Sequence, residues 1–311
     1  MQRLALACTL LAGTATLAGW QAPDPAYKPR RINKAIELLA EGQPIYYTQV
    51  DGGGYEEGRK LAYTWADYIT YNLEHAPFDM TALRAFMQGL ADGGPTRSGH
   101  RTPAVVVALP VGGLDESVLR ANYWMVEHAL GSGAHGVLLV HARAPAAARV
   151  LVQAARYPHA PPAPGIGEGL RGSGGQGFAA RIWGVPSAEY QRRADPWPLN
   201  PNGEILLGLK IEDRHALEQA EASAAVPGIG FAEWGPGDMS LSFNLAPGST
   251  VLADARARVF AATTKAKIAF LNAVDAKTIE PMIDEGVRIF AGAGPEVADR
   301  GRRYSKRRMP W

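Results

Sequence analysis

From residue 44 onward, short apolar runs alternate with longer stretches of helical spacing. The runs at 44–50, 68–73, 104–110 and 136–141 read as strands, and so do those at 205–211, 229–234, 268–274 and 288–291. Between them, the spacing predicts helices over 80–90, 116–130, 145–157, 213–225, 254–265, 276–286 and 296–304. Asp79 and Asp115 stand where helix caps belong. Regular alternation of strand and helix predicts parallel strands joined by helical crossovers. Eight such units predict an α/β chain closed as a (β/α)8 TIM barrel. A doubly wound open sheet is the competitor, but no G-x-G-x-x-G joins a strand to a helix. Two stretches break the pattern: a polar insertion at 92–103 and a long Gly- and Pro-rich segment at 159–184.

Composition narrows the function classes. Of 311 residues 47% are hydrophobic and 20% charged, enough apolar material for a large core and too much for a disordered chain. The net charge of +2 does not point to nucleic acid. Cys8 is the only cysteine, which excludes an intramolecular disulfide, a cysteine zinc cluster and an iron–sulfur site. Met1, Gln2 and Arg3 followed by the apolar stretch 4–18 have the form of an export signal over 1–22, with a mature N-terminus expected between Gly19 and Lys28. A buried N-terminal helix is the alternative. The expected organisation is then a linker at 23–31, a barrel domain at 32–304 and a basic tail at 305–311, solvated or in a subunit contact. The expected location is periplasmic or secreted, with cytoplasmic as the alternative. No other apolar run is long enough to span a membrane.

A barrel of this kind places its active site at the C-terminal ends of the strands. The second predicted strand ends in Glu74-His75-Ala76-Pro77 and the fourth in His141, with Arg143 beyond it. The fifth ends in Lys210-Ile211-Glu212-Asp213 and the sixth in Trp234-Gly235-Pro236-Gly237-Asp238. Glu212 and Asp238 follow adjacent strands. Two carboxylates converging there suit a hard divalent ion, while helix capping is the alternative reading. Asp213 is placed to cap the following helix, which frees Glu212. Lys210 shares strand parity with Glu212 and stands either as a Schiff-base nucleophile or as an ion-pair partner of Glu212 or Glu233.

These residues carry a resemblance. Glu74-His75-Ala76-Pro77, Lys210-Ile211-Glu212 and Gly235-Pro236-Gly237-Asp238-Met239-Ser240 occur in the order seen in the HpcH/HpaI aldolase and citrate lyase family, with 26 residues from Glu212 to Asp238. Ala154-Ala155-Arg156-Tyr157-Pro158 and Arg171-Gly172 extend the similarity, which runs from about Asn33 to Tyr304. The resemblance implies a metal-dependent carbon–carbon lyase acting on a 2-oxo acid such as pyruvate. It implies Mg²⁺, Mn²⁺ or Co²⁺ held by Glu212 and Asp238, with His75 as base and Gly235, Pro236 and Gly237 against the substrate carboxylate. It also implies a homo-oligomer, trimer or hexamer. Glu74, His141, Arg143 and Lys210 join His75 as candidate catalytic residues. Leu109 stands where the family carries an arginine, and Gly131 falls at or near the family's aspartate. His141 and Arg143 are candidates to replace that arginine, and Glu127 to replace the aspartate. A barrel that binds a small carboxylate without turnover is the reading from a different class.

Overall fold

The computed structural model describes residues 23–246 and 249–311. The expected export signal and Cys8 lie outside the described residues. The strands are β1 (Ile45–Val50), β2 (Tyr68–Asn72), β3 (Ala104–Gly112), β4 (Gly136–Val140), β5 (Pro196–Trp197), β6 (Ile205–Ile211), β7 (Phe231–Trp234), β8 (Ala269–Ala273) and β9 (Ile289–Ala291). All pairings between them are parallel. The order β4-β3-β2-β1-β9-β8-β7-β6 closes on itself through β4–β6, so eight strands form the expected (β/α)8 barrel. The two-residue β5, absent from the sequence reading, adds to the start of β6.

Period-two alternation divides the core in two. Ile45, Tyr68, Val106, Leu138, Leu206, Phe231, Leu271 and Ile289 fill the barrel. Ile69, Val105, Val107, Leu109, Leu139, Leu209 and Ile211 belong to the larger core that the helices share. The inner packing is tight: a Cβ on Gly208 would come within 2.1 Å of the Phe231 ring, so glycine there admits the aromatic side chain.

Several helices depart from the sequence reading. The segment over 116–130 is two helices, Glu116–Asn122 and Trp124–Gly131, and the one over 213–225 is Arg214–Glu218 and Ala220–Ala224. Asp79, Asp115 and Asp213 do cap helices, each accepting backbone N–H groups with its carboxylate. The Gly-rich segment at 159–184 ends in a helix, Gln176–Trp183. Helix Lys34–Ala40, which the sequence reading missed, contributes Ala35, Ile36 and Leu38 to the inner core. The Arg30 and Arg31 N–H groups of the expected linker donate to Glu37 of that helix, each at 2.9 Å.

The basic C-terminal segment is not a solvated tail. Arg302 and Arg307 are buried, and Met309 is fully enclosed in the inner core. Their anchor is Asp67, which precedes β2 and is fully buried. Arg307 Nη1 lies 2.7 Å from Asp67 Oδ1, Arg302 Nη2 3.2 Å and Lys34 Nζ 3.3 Å. The Tyr46 N–H donates to the other oxygen at 3.1 Å. Burial alone would raise the Asp67 pKa, but Arg302, Arg307 and Lys34 outweigh it and hold the carboxyl below its ordinary range. Burial also lowers Lys34, to about 8.

Asp67→Asn would leave three cations around a neutral amide. Breaking a buried pair typically costs about 3–5 kcal/mol, and a loss of that order is expected in chemical denaturation at pH 7. Because the folded-state pKa of Asp67 is depressed, its contribution is fully present above the ordinary value of 3.8 and fades only as pH falls below it. Asp67 itself should therefore add no pH dependence to wild-type stability from pH 7 to about pH 5.

Candidate active site

Strand parity places Lys210 and Glu233 on the inner side of the barrel wall, opposite each other in the β6–β7 register. Glu212 follows β6 with the same parity and is fully buried. The Lys210 ammonium spans the mouth to the loop after β2. Its Nζ donates to Glu74 Oε2 at 2.8 Å and Oε1 at 3.1 Å, and lies 3.0 Å from Glu212 Oε2. Its ion-pair partners are therefore Glu74 and Glu212. Burial lowers the Lys210 pKa, but Glu212, Glu233 and Glu74 outweigh it and raise it, which keeps the amine charged. A Schiff-base nucleophile needs the opposite shift. Burial raises Glu212, against Lys210 and the His141 N–H.

His141 follows β4 in a left-handed conformation, φ 44°, an uncommon state for a residue with a side chain. That turn lets its backbone N–H donate to Glu212 Oε1 at 2.9 Å, while its Nδ1 lies 3.1 Å from Asp213 Oδ2. Arg143 Nε donates to the same Asp213 oxygen at 2.9 Å. Asp213 Oδ1 accepts the N–H groups of His215 and Ala216. Burial alone would raise the Asp213 carboxyl, but the Ala216 N–H, Arg143 and His141 hold it below its ordinary value. Arg143 is thus already engaged.

His75 is the exposed member of the site, with 66% of its side chain accessible and Nε2 3.4 Å from Glu74 Oε1. Asn72 shapes its loop: the side-chain oxygen accepts the Glu74 N–H at 3.0 Å and the His75 N–H at 3.3 Å. Glu74, His141 and Glu212 each offer a ligand atom within 4.8 Å of the others, a group that could hold a metal ion. Asp238, paired with Glu212 in the sequence reading, is outside this group. It sits partly exposed in the first turn of helix Pro236–Phe243. Gly235 ties that turn to the site, because a Cβ there would fall 2.5 Å from Glu212 Cβ. Pro236 and Gly237 border a cleft of about 400 Å³ shared with Trp234, Leu252 and Arg256.

The position of the family's arginine and the candidate replacement for its aspartate lie elsewhere. Leu109 faces the outer core, and Glu127 accepts the Gly172 N–H at 3.2 Å on the outer side of the barrel. The sequence reading had Glu74 and His141 as catalytic groups and missed that they surround Glu212 as possible ligands. The signal was present, since both end strands.

A profile of the HpcH/HpaI aldolase/citrate lyase family matches residues 58–294. The chain belongs to this family. A hydroxypyruvate/pyruvate aldolase of Paraburkholderia phytofirmans is 26% identical over 263 residues, which cover 83% of this chain and 90% of that protein. One from Roseobacter denitrificans is 24% identical over 269 residues, covering 85% and 92%. Among solved structures, an HpcH/HpaI aldolase/citrate lyase family protein from Burkholderia cenocepacia superposes with a TM-score of 0.65 at 23% identity. That match covers 88% of this chain and 96% of the other. Family membership and these relatives support a lyase of the aldolase type.

Of the three acids around Lys210 in this HpcH/HpaI barrel, Glu233 is the one without a direct ion pair among the described residues. Burial raises its pKa to about 7, with Lys210 opposing and Glu212 and Glu74 adding to the rise. A raised folded-state pKa contributes stability below the ordinary value of 4.5 that is lost as pH rises through about 7. Glu233→Gln should therefore gain on wild type at pH 8, by on the order of 1 kcal/mol. It should gain little at pH 5. Thermal melts at the two pH values decide it, and an equal gap at both would count against this assignment.

Proposed function

We infer that the protein is a divalent-metal-assisted aldolase that makes or breaks a carbon–carbon bond next to a 2-oxo acid, with pyruvate or a near relative as the common fragment. The observation that carries the reading is Glu212. Its Oε2 is buried and receives no aligned hydrogen bond, although Lys210 is close, and it stands with Glu74 and His141 in one donor cluster. Carboxylate oxygens with an imidazole nitrogen suit Mg²⁺, Mn²⁺ or Co²⁺. Such an ion, when bound, would supply positive charge to the substrate oxygens as carbanion character develops. Family membership and the two aldolase relatives, similar over most of their length, support the same chemistry.

The chain's own groups divide the remaining work. Pro236 has no N–H, and the next N–H groups open a helix without intrahelical partners, so they suit a substrate carboxylate. Gly237 leaves that approach open, with nothing within 4 Å of a built Cβ. His75 is accessible and held loosely by Glu74, the arrangement of a group that takes and returns a proton.

The test uses hydroxypyruvate or pyruvate with a small aldehyde, Mn²⁺ present or chelated, and chromatographic detection of the aldol product. Turnover should require the ion, and Glu212→Gln should lower kcat/KM by about a hundredfold or more. Equal turnover after chelation and in the variant would sink the metal reading. A second reading, a carboxylate-binding barrel without turnover, is favoured by Leu109 facing the outer core and by Arg143 already paired with Asp213. Calorimetric binding of oxalate without product across a panel of aldehydes would support it.

A further inference from the structure

The Lys210 ammonium stands among the oxygens that a divalent ion would use. It contacts both oxygens of Glu74, at 2.8 and 3.1 Å, and lies 3.0 Å from Glu212 Oε2. Glu74 and Glu212 are two of the three donors in the candidate metal cluster, and the third, His141, donates its N–H to Glu212 Oε1. An ion coordinated by Glu212 Oε2 would sit about 2.1 Å from that oxygen. With Lys210 unmoved, ammonium and ion would then be no more than about 5 Å apart, inside the screening length of about 8 Å. The side chain is only 13% accessible, so solvent gives little relief. Its residue partner across β6–β7 is Glu233, so a second carboxylate stands on the same inner face.

We propose that Lys210 is an internal cation that competes with the divalent ion for Glu74 and Glu212. In the metal-free protein it holds the two carboxylates together. The ion enters as the ammonium leaves them, and the affinity for metal is set by that exchange. The inference rests on the metal-binding reading above and adds a residue that opposes the ion.

Mn²⁺ binding to the full chain is the test, read as free Mn²⁺ by electron paramagnetic resonance. Lys210→Gln and Lys210→Met remove the charge and should bind Mn²⁺ at least tenfold more tightly, about 1.4 kcal/mol. Lys210→Arg keeps the charge and should stay close to wild type. Charge-removing variants that bind no more tightly than wild type, while Glu212→Gln still abolishes binding, would overturn the competition and leave the metal site standing. No Mn²⁺ bound by wild type or by any folded Lys210 variant would overturn the metal reading itself. Should the variants fail to fold, the unaltered chain still decides. Mn²⁺ should raise acetylation of Lys210, measured by mass spectrometry, several-fold, and unchanged labelling would overturn the exchange.

Discussion

Closure of the sheet between β4 and β6 is the constraint from which the rest follows. Gly136, Val137, Leu138 and Leu139 pair in register with Leu206, Leu207, Gly208 and Leu209. With the register set, alternation sends every second side chain inward, and a slip of one residue would turn Lys210 out and Ile211 in. Gly136 makes the seam possible, since a Cβ there would fall 2.1 Å from the Leu206 carbonyl oxygen. The seam also sets His141, at the end of β4, beside Glu212, at the end of β6. There the His141 backbone N–H donates to the Glu212 carboxylate.

The two ends of the barrel are electrostatic opposites. Below the inner core, one carboxylate, Asp67, lies among three cations, Lys34, Arg302 and Arg307. At the mouth, one cation, Lys210, lies among three acids, Glu74, Glu212 and Glu233. Buried charges of either sign are costly unless paired. The lower cluster joins three separated parts of the chain: the helix at Lys34, the start of β2 and the C-terminal residues. The upper cluster has the same cost but remains partly open, and Glu212 keeps an oxygen without an aligned donor.

The departure from the family pattern at Leu109 leaves the barrel frame unaltered. Leu109 occupies an outward position on β3, where it joins the shared core and leaves the mouth without a cation from that strand. Lys210 brings a cation from a different strand, anchored to Glu74 and Glu212. Asn72 shapes the Glu74-His75 loop through its side-chain oxygen.

The barrel itself was legible in the chain, because apolar alternation and the helical period are local properties that each segment carries alone. All eight barrel strands were readable, and so were the caps at Asp79, Asp115 and Asp213. The order of the strand-end motifs was enough to name the family. Which charges meet was not legible. Arg307 and Asp67 are 240 residues apart, and the basic run that holds Arg307 looks like a solvated tail until the Asp67 carboxylate is placed beneath the barrel. Lys210 and Glu74 are 136 residues apart, and parity shows only that Lys210 points inward, not how far its side chain reaches. Backbone geometry follows from near neighbours along the chain. The partner of a long charged side chain is chosen by distance across the closed barrel, which exists only once every strand is in register.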